Sequence, residues 1–146
     1  MITIWHGAPS EATTADMNLI TRSFISKASR PITSLMIVEP SSPPPNDLAR
    51  KGLATFSREL VPKMALAIVL AEGGGFRAAL VRGVGITLTA MMPHRLPFKF
   101  VSDIETALVL LGPHLIGTVE GLRDAVGELR ESIRRHAIPS PRPRQA

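Results

Sequence analysis

The stretch ALAIVLA at residues 65–71 decides how the rest of the chain is interpreted. Its residues are apolar without a break, so a strand formed by them has no polar face to turn toward water. Such a run predicts a strand that is covered on both faces, as in the middle of a parallel sheet. It is too short to cross a bilayer, which takes about 20 apolar residues.

Length and composition fit a single domain that needs no cross-links. The chain has 146 residues, within the usual size of one domain, and it contains no cysteine. The lack of cysteine excludes disulfides, thiolate metal sites and cysteine nucleophiles. It also fits a reducing cytoplasm, which is the location that we predict. The first residues, MITIWHGAPS, lack the basic start and long apolar segment of a signal peptide.

The composition also bears on the class of partner. Aromatic residues make up 4% of the chain and there is no tyrosine, which argues against a surface that stacks nucleic-acid bases. The net charge is +5, and Arg134, Arg135, Arg142 and Arg144 concentrate part of it near the end of the chain. We interpret this end as a solvated basic tail, with an arm for nucleic acid or an acidic partner as the alternative. We therefore predict neither a nucleic-acid nor a membrane partner.

Three other segments, at residues 2–6, 33–39 and 98–101, are short and β-rich and predict further strands. A helix between the first two strands is predicted to begin at a Thr13 or Thr14 cap. Its inward stripe is predicted to be Met17, Ile20, Phe24 and Ala28. A second helix is predicted from an Asn46 cap to about residue 64, with Pro62 disturbing its last turn. Its predicted inward residues are Leu48, Leu53, Phe56, Leu60 and Met64.

Three more helices are predicted after the central strand. Residues 76–92 are predicted to form a helix so apolar that most of its circumference needs cover, which the sheet on one side and a second subunit on the other could supply. Ser102 and Glu105 fit a capping box for a helix over residues 103–111. Residues 118–136 form a helix that either packs on its own domain or forms a dimer contact. Its apolar stripe is Val119, Leu122, Val126, Leu129 and Ile133.

The alternation of strands and helices predicts the fold class. We expect one α/β domain over residues 1–136, with a mainly parallel, four-stranded sheet flanked by helices and with an extra C-terminal helix. Residues 137–146, rich in proline and arginine, are predicted to be a disordered tail.

This layout, with the late segment FKFVSDIETALVLL at residues 98–111, resembles the small STAS-like domains, which include the bacterial anti-sigma-factor antagonists. The resemblance covers roughly residues 2–111 and rests on the order of elements. The antagonists carry a phosphorylatable serine in an Asp-Ser-(Ser/Thr)-Gly-like stretch before the second helix. The matching loop here, EPSSPPPND, lacks that aspartate–serine pair and the glycine but offers Ser41 and Ser42. The resemblance thus implies a non-enzymatic regulatory or interaction module with these serines as candidate phosphorylation sites.

Four polar residues follow the four predicted strands: His6, Glu39, Glu72 and Asp103. Ligands of open parallel sheets bind outside the carboxyl ends of the strands, so these side chains are candidate ligand-binding residues. A histidine with three carboxylates can bind a divalent metal or perform acid–base chemistry. The alternative is that they are ordinary polar residues at strand ends, with Asp103 in the capping turn of the next helix.

Gly73, Gly74 and Gly75 open the predicted helix at residues 76–92, so their amides are candidates for binding an anion. The segment lacks the spacing of the known dinucleotide and P-loop motifs, and a tight turn is the alternative.

From these observations we expect a non-catalytic regulatory or protein-interaction module. We expect it to form a homodimer, through the helix at residues 76–92 or the helix at residues 118–136, and to need no cofactor. The alternative is a small-ligand- or metal-binding enzyme that uses the four strand-end residues.

Overall fold

The computed structural model describes residues 1–73, 79, 83 and 98–136. The described strands are β1 (Ile2–Trp5), β2 (Ile32–Val38), β3 (Met64–Ala71) and β4 (Phe98–Val101). The described helices are α1 (Glu11–Lys27), α2 (Asp47–Leu60), α3 (Ile104–Leu111) and α4 (Val119–His136). Apart from residues 79 and 83, the predicted helix at residues 76–92 lies outside the described residues, and so does the predicted tail at residues 137–146.

The four strands form one sheet in the order β1-β2-β3-β4, and all neighbours are parallel. The predicted α/β class, with a parallel four-stranded sheet flanked by helices, is therefore confirmed. The apolar stretch at residues 65–71 lies in β3, one of the two inner strands. Its residues from Leu66 to Ala71 are all buried, as the lack of polar alternation predicts.

Helices cover both faces of the sheet. On one face, α1 and α2 pack together over a cluster of Ile32, Phe56 and Leu60, with Met1, Met17, Ile25 and Met64 beside it. On the other face, α3 and α4 cover a larger cluster built from alternate residues of β2 and β3. This second cluster contains Leu35, Ile37, Leu66, Ile68 and Leu70, together with Ala107, Leu111 and Val126 from the helices.

Helix α1 faces the sheet with a different stripe from the predicted one. Ser10, rather than Thr13 or Thr14, is the N-cap, and Thr13 completes the capping box. Ile20 and Phe24, predicted to be buried, are exposed, while Thr14 and Thr21 are buried. The Thr14 hydroxyl can be buried because it donates to the carbonyl oxygens of Ser10 and Glu11, which removes the cost of an unpaired polar group.

Helix α2 begins as predicted, with the Asn46 side chain accepting from the Ala49 N–H. It ends at Leu60 rather than near residue 64, because the 3-10 turn Val61–Lys63 contains Pro62. Met64 therefore starts β3. Phe56 and Leu60 are buried as predicted, but Leu48 is exposed and Ala49 takes the inward position beside it.

Helices α3 and α4 lie close to their predicted positions. The cap of α3 is Asp103, one residue after the predicted Ser102, because its side chain accepts from the Thr106 N–H. Helix α4 packs on its own domain, with Val126 in the core and Leu122 beside it. Leu129, predicted to belong to the same inward stripe, is exposed.

Candidate functional site

The register of the sheet puts the four strand-end candidates in one row. Trp5 pairs with Val38 and Val38 with Ala71, so His6, Glu39 and Glu72 come next in register. The N–H of Glu39 donates to the Trp5 carbonyl and that of Glu72 to the Val38 carbonyl, which continues the pairing to this row. Leu70 pairs with Val101, the last residue of β4, and Asp103 follows Val101 by two residues, as Glu72 follows Leu70. We call His6, Glu39, Glu72 and Asp103 the rim row.

Within the described residues, the rim-row side chains that form a hydrogen bond with each other are those of His6 and Glu39. The His6 Nδ1 atom lies 2.5 Å from Glu39 Oε2. The Glu39 side chain is 18% exposed and the His6 side chain 45% exposed. A carboxylate on Nδ1 orients an imidazole and leaves its Nε2 atom for another partner, which is an arrangement that acid–base sites use.

Glu72 forms an ion pair with a residue of α4, 58 positions later in the chain. Its Oε1 atom accepts from the Arg130 guanidinium of α4, and both side chains are about three-quarters buried. This ion pair connects α4 to the carboxyl end of β3. It also neutralises the Glu72 charge, so Glu72 is less able to serve as a metal ligand.

Asp103 serves as the cap of α3. Its two carboxylate oxygens accept from the Thr106 N–H at 2.8 Å and from the Thr106 hydroxyl at 2.9 Å. These hydrogen bonds stabilise the ionised form and lower the pKa of the Asp103 carboxyl below its ordinary value. The capping role that the sequence left as an alternative is the one seen in the structure.

The two candidate phosphorylation serines differ in access. Ser41 is exposed. Ser42 is buried, and its hydroxyl donates to the Gly7 carbonyl oxygen at 2.8 Å. This bond ties the loop after β2 to the loop after β1, so Ser42 has a structural role beside the His6–Glu39 pair.

Of the three glycines, Gly73 is within the described residues, and Gly74 and Gly75 lie outside them. Gly73 has a φ of +90°, a conformation that side-chain-bearing residues rarely adopt. A Cβ atom built on Gly73 would lie 3.6 Å from the Pro40 Cγ atom, which is ordinary van der Waals contact. The glycine is therefore required for the turn itself.

Sequence reasoning did not find Arg130, which is the residue that binds Glu72. The two are separated by 58 positions, and an arginine on a charged helix carries no local signal that it points toward a distant strand. A similar pair joins α4 to α3, with Arg123 donating to Glu105 at 2.5 Å.

The described residues contain no group of three or more histidine, cysteine, aspartate or glutamate side chains placed to hold one metal ion. A shallow apolar cleft of about 30 Å³ lies between α2 and the sheet, among Met36, Phe56, Val69 and Phe98. That space holds only one or two water molecules. None of the rim-row residues lines it.

Comparisons with family models, with curated proteins and with solved structures found no match to this chain. None of the helices within residues 1–73 and 98–136 has the length and apolar character needed to span a membrane.

Proposed function

We propose that this chain is a non-catalytic regulatory or protein-interaction module of STAS-like type that acts in the cytoplasm. The order of its strands and helices is the basis of the STAS-like part of the proposal. Its partner is another protein, and the surface proposed to bind that partner is the exposed side of α1.

The observation that carries the proposal is the set of large apolar side chains that α1 leaves in solvent. Leu19 is 69% exposed, Ile20 68% and Phe24 45%. An exposed apolar surface of this kind on one helix is typical of a protein-interaction site. Thr14, Thr21, Met17 and Ile25 lie on the inward side of α1, and Leu19, Ile20 and Phe24 are the large apolar residues that it exposes.

The contacts of the rim row support the same proposal. Glu72 forms an ion pair with Arg130, and Asp103 caps α3. Both carboxylates therefore stabilise the fold. Ser41 remains the accessible candidate for phosphorylation in the loop after β2. A phosphate there would add negative charge next to Glu39 and change the surface offered to a partner.

The second candidate function is a small-ligand-binding or metal-binding enzyme, and the His6–Glu39 contact favours it. In that case His6 would act as the acid or base, with Glu39 orienting its ring. The exposed His6 ring can reach a molecule that binds at the carboxyl end of β1 and β2.

A thermal-shift panel of divalent metals and nucleotides separates the two functions. The interaction module is expected to show no increase in melting temperature with any of them. An increase of several degrees that is lost in Glu39→Gln and in Glu72→Ala would overturn the proposal and support the enzyme. Glu120→Gln, which changes an exposed carboxylate of α4 outside the rim row, is the matched control and should behave like the wild-type chain.

A further inference from the structure

One side of α1 carries a row of exposed residues at helical spacing. Asp16, Ile20, Phe24 and Lys27 follow one another at steps of four, four and three residues, so they lie on one line along the helix. All four are exposed. We call this row the α1 flank; Leu19 is outside it, about 100° away from Ile20 around the helix.

The α1 flank points away from α2. Arg22 marks the side of α1 that faces α2, because its Nε and Nη2 atoms donate to the two carboxylate oxygens of Glu59 at 2.6 and 2.5 Å. Ile20 and Phe24 come two residues before and after Arg22, which places each about 200° from it around the helix. Since α2 leads toward β3, the α1 flank lies on the side of β1.

Strand β1 lies at the edge of the sheet on that side and carries no charge. Its sequence is ITIW, and among the described strands it has a neighbour only in β2. The opposite edge strand, β4, carries the exposed Lys99, a common way to keep a sheet edge from pairing. Strand β1 itself contains no charged residue that could act in this way.

The α1 flank is complementary to itself. When two copies of α1 are placed antiparallel across a two-fold axis near residue 22, Ile20 of one copy lies opposite Phe24 of the other. In the same arrangement Asp16 of one copy lies opposite Lys27 of the other, at both ends of the contact. A two-fold contact needs this kind of pairing, because each residue meets the same surface in its partner.

The spacing of a sheet fits such a contact. If the two β1 edges face each other at about 4.8 Å, helices that lie over β1 and β2 of each copy are about 10 Å apart. That is the distance at which helices pack side by side. The contact would cover the apolar residues of the α1 flank and the uncharged strand edge together.

We propose that two copies of this chain associate through the α1 flank, with the α1 helices antiparallel and the β1 edges side by side. This proposal rests on the protein-interaction function and names the partner as a second copy. The dimer contacts predicted from the sequence, through residues 76–92 or through α4, are separate hypotheses. The present proposal concerns the α1 flank, which the described structure leaves exposed.

Sedimentation equilibrium at a series of protein concentrations tests the proposal. The wild-type chain should show a reversible dimer. Ile20→Glu with Phe24→Glu should weaken the dimer at least about tenfold, because apolar contacts are lost and like charges face each other. Leu19→Glu is the matched control, since Leu19 is as exposed as Ile20 but lies off the flank; it should change the dissociation constant by less than about threefold.

A charge exchange tests the orientation of the helices. Asp16→Lys alone should weaken the dimer, and Asp16→Lys combined with Lys27→Asp should restore it, because the opposite charges then face each other again. A wild-type chain that stays monomeric, or a dimer that Ile20→Glu with Phe24→Glu leaves unchanged, would overturn the proposal. Those results leave the thermal-shift test of the proposed function unaffected, so the two can fail separately.

Discussion

At the scale of single residues, Asp103 shows how a strand-end carboxylate can be committed to structure. It follows β4 in the position where a ligand-binding residue was predicted, and it caps α3 through Thr106. The hydrogen bonds that make it a cap also lower its pKa. The same residue therefore connects the stability of α3 to pH.

We expect Asp103→Ala to lower the free energy of unfolding at neutral pH and Asp103→Asn to lower it less, because asparagine is also a good N-cap. The folded-state pKa of Asp103 is lowered, so the ionised cap contributes stability above the ordinary aspartate pKa of about 4. That contribution is lost as the pH falls through the lower folded-state value. Urea unfolding of wild-type and Asp103→Asn chains between neutral and strongly acidic pH measures this. A stability difference that stays constant over the whole range would contradict the prediction.

At the scale of elements, α1 and α2 approach each other closely where Gly52 meets Thr14. A Cβ built on Gly52 would lie 2.7 Å from the Thr14 Oγ1 atom and 3.0 Å from its Cβ atom. Thr14 is buried, and its hydroxyl is held by the carbonyl oxygens of Ser10 and Glu11. The neighbour therefore has little freedom to move aside.

We expect Gly52→Ala to destabilise the protein, because overpacking costs about 1–3 kcal/mol and exceeds the gain in helix propensity of about 1 kcal/mol. Gly127→Ala is the matched control in α4, since a Cβ there meets no atom within 4 Å. It should stabilise the chain by about 0.5–1 kcal/mol. Urea midpoints of the two variants give the comparison; equal stabilisation by both would show that the helices can separate without cost.

The helices also show which parts of the fold could be predicted from the sequence and which could not. The fold class, the four strands and the Asn46 cap could be predicted, because they rest on runs of apolar residues and on local capping chemistry. The inward stripe of α1 could not, because Leu19, Ile20 and Phe24 supply as strong an apolar pattern as the buried side. On the inward side Met17 and Ile25 pack beside the buried cluster, and the buried Thr14 and Thr21 hydroxyls have hydrogen-bond partners, which only the folded chain shows.

For the candidate site, the positions of the residues could be predicted from the sequence, but their hydrogen-bond partners could not. The rim row follows from strand ends in a parallel sheet, and the register with two further backbone hydrogen bonds aligns His6, Glu39 and Glu72. That these residues bind a ligand stays a prediction. Their partners could not be predicted. Arg130 reaches Glu72 from α4, so a residue 58 positions later in the chain determines whether the Glu72 carboxylate is available.

At the scale of the whole molecule, β2 and β3 form the centre and carry most of the buried apolar residues. Ile37, Ile68 and Leu70 lie on one face of the sheet under α3 and α4. Because helices pack on both faces, a substitution in β2 or β3 alters the packing of the helices against the sheet.

We expect Leu70→Ala to lower the free energy of unfolding by about 2–5 kcal/mol, because Leu70 is 0% exposed and its removal leaves a cavity. Leu48→Ala makes the same chemical change at an exposed position of α2 and should cost less than about 0.5 kcal/mol. Guanidinium unfolding followed by circular dichroism measures both. Equal losses would mean that the sheet centre is able to close around the missing side chain.

The strand order β1-β2-β3-β4 follows the direction in which a ribosome makes the chain. Each strand can join its predecessor as soon as it leaves the exit tunnel, and α1 and α2 are by then available to shield one side. Of the described helices, those on the opposite face, α3 and α4, follow all four strands in the chain. Among the described helices, α3 and α4 are the ones that pack on Leu35, Ile37, Ile68 and Leu70, so a chain that stops before them lacks this cover on an apolar surface of the kind that chaperones bind.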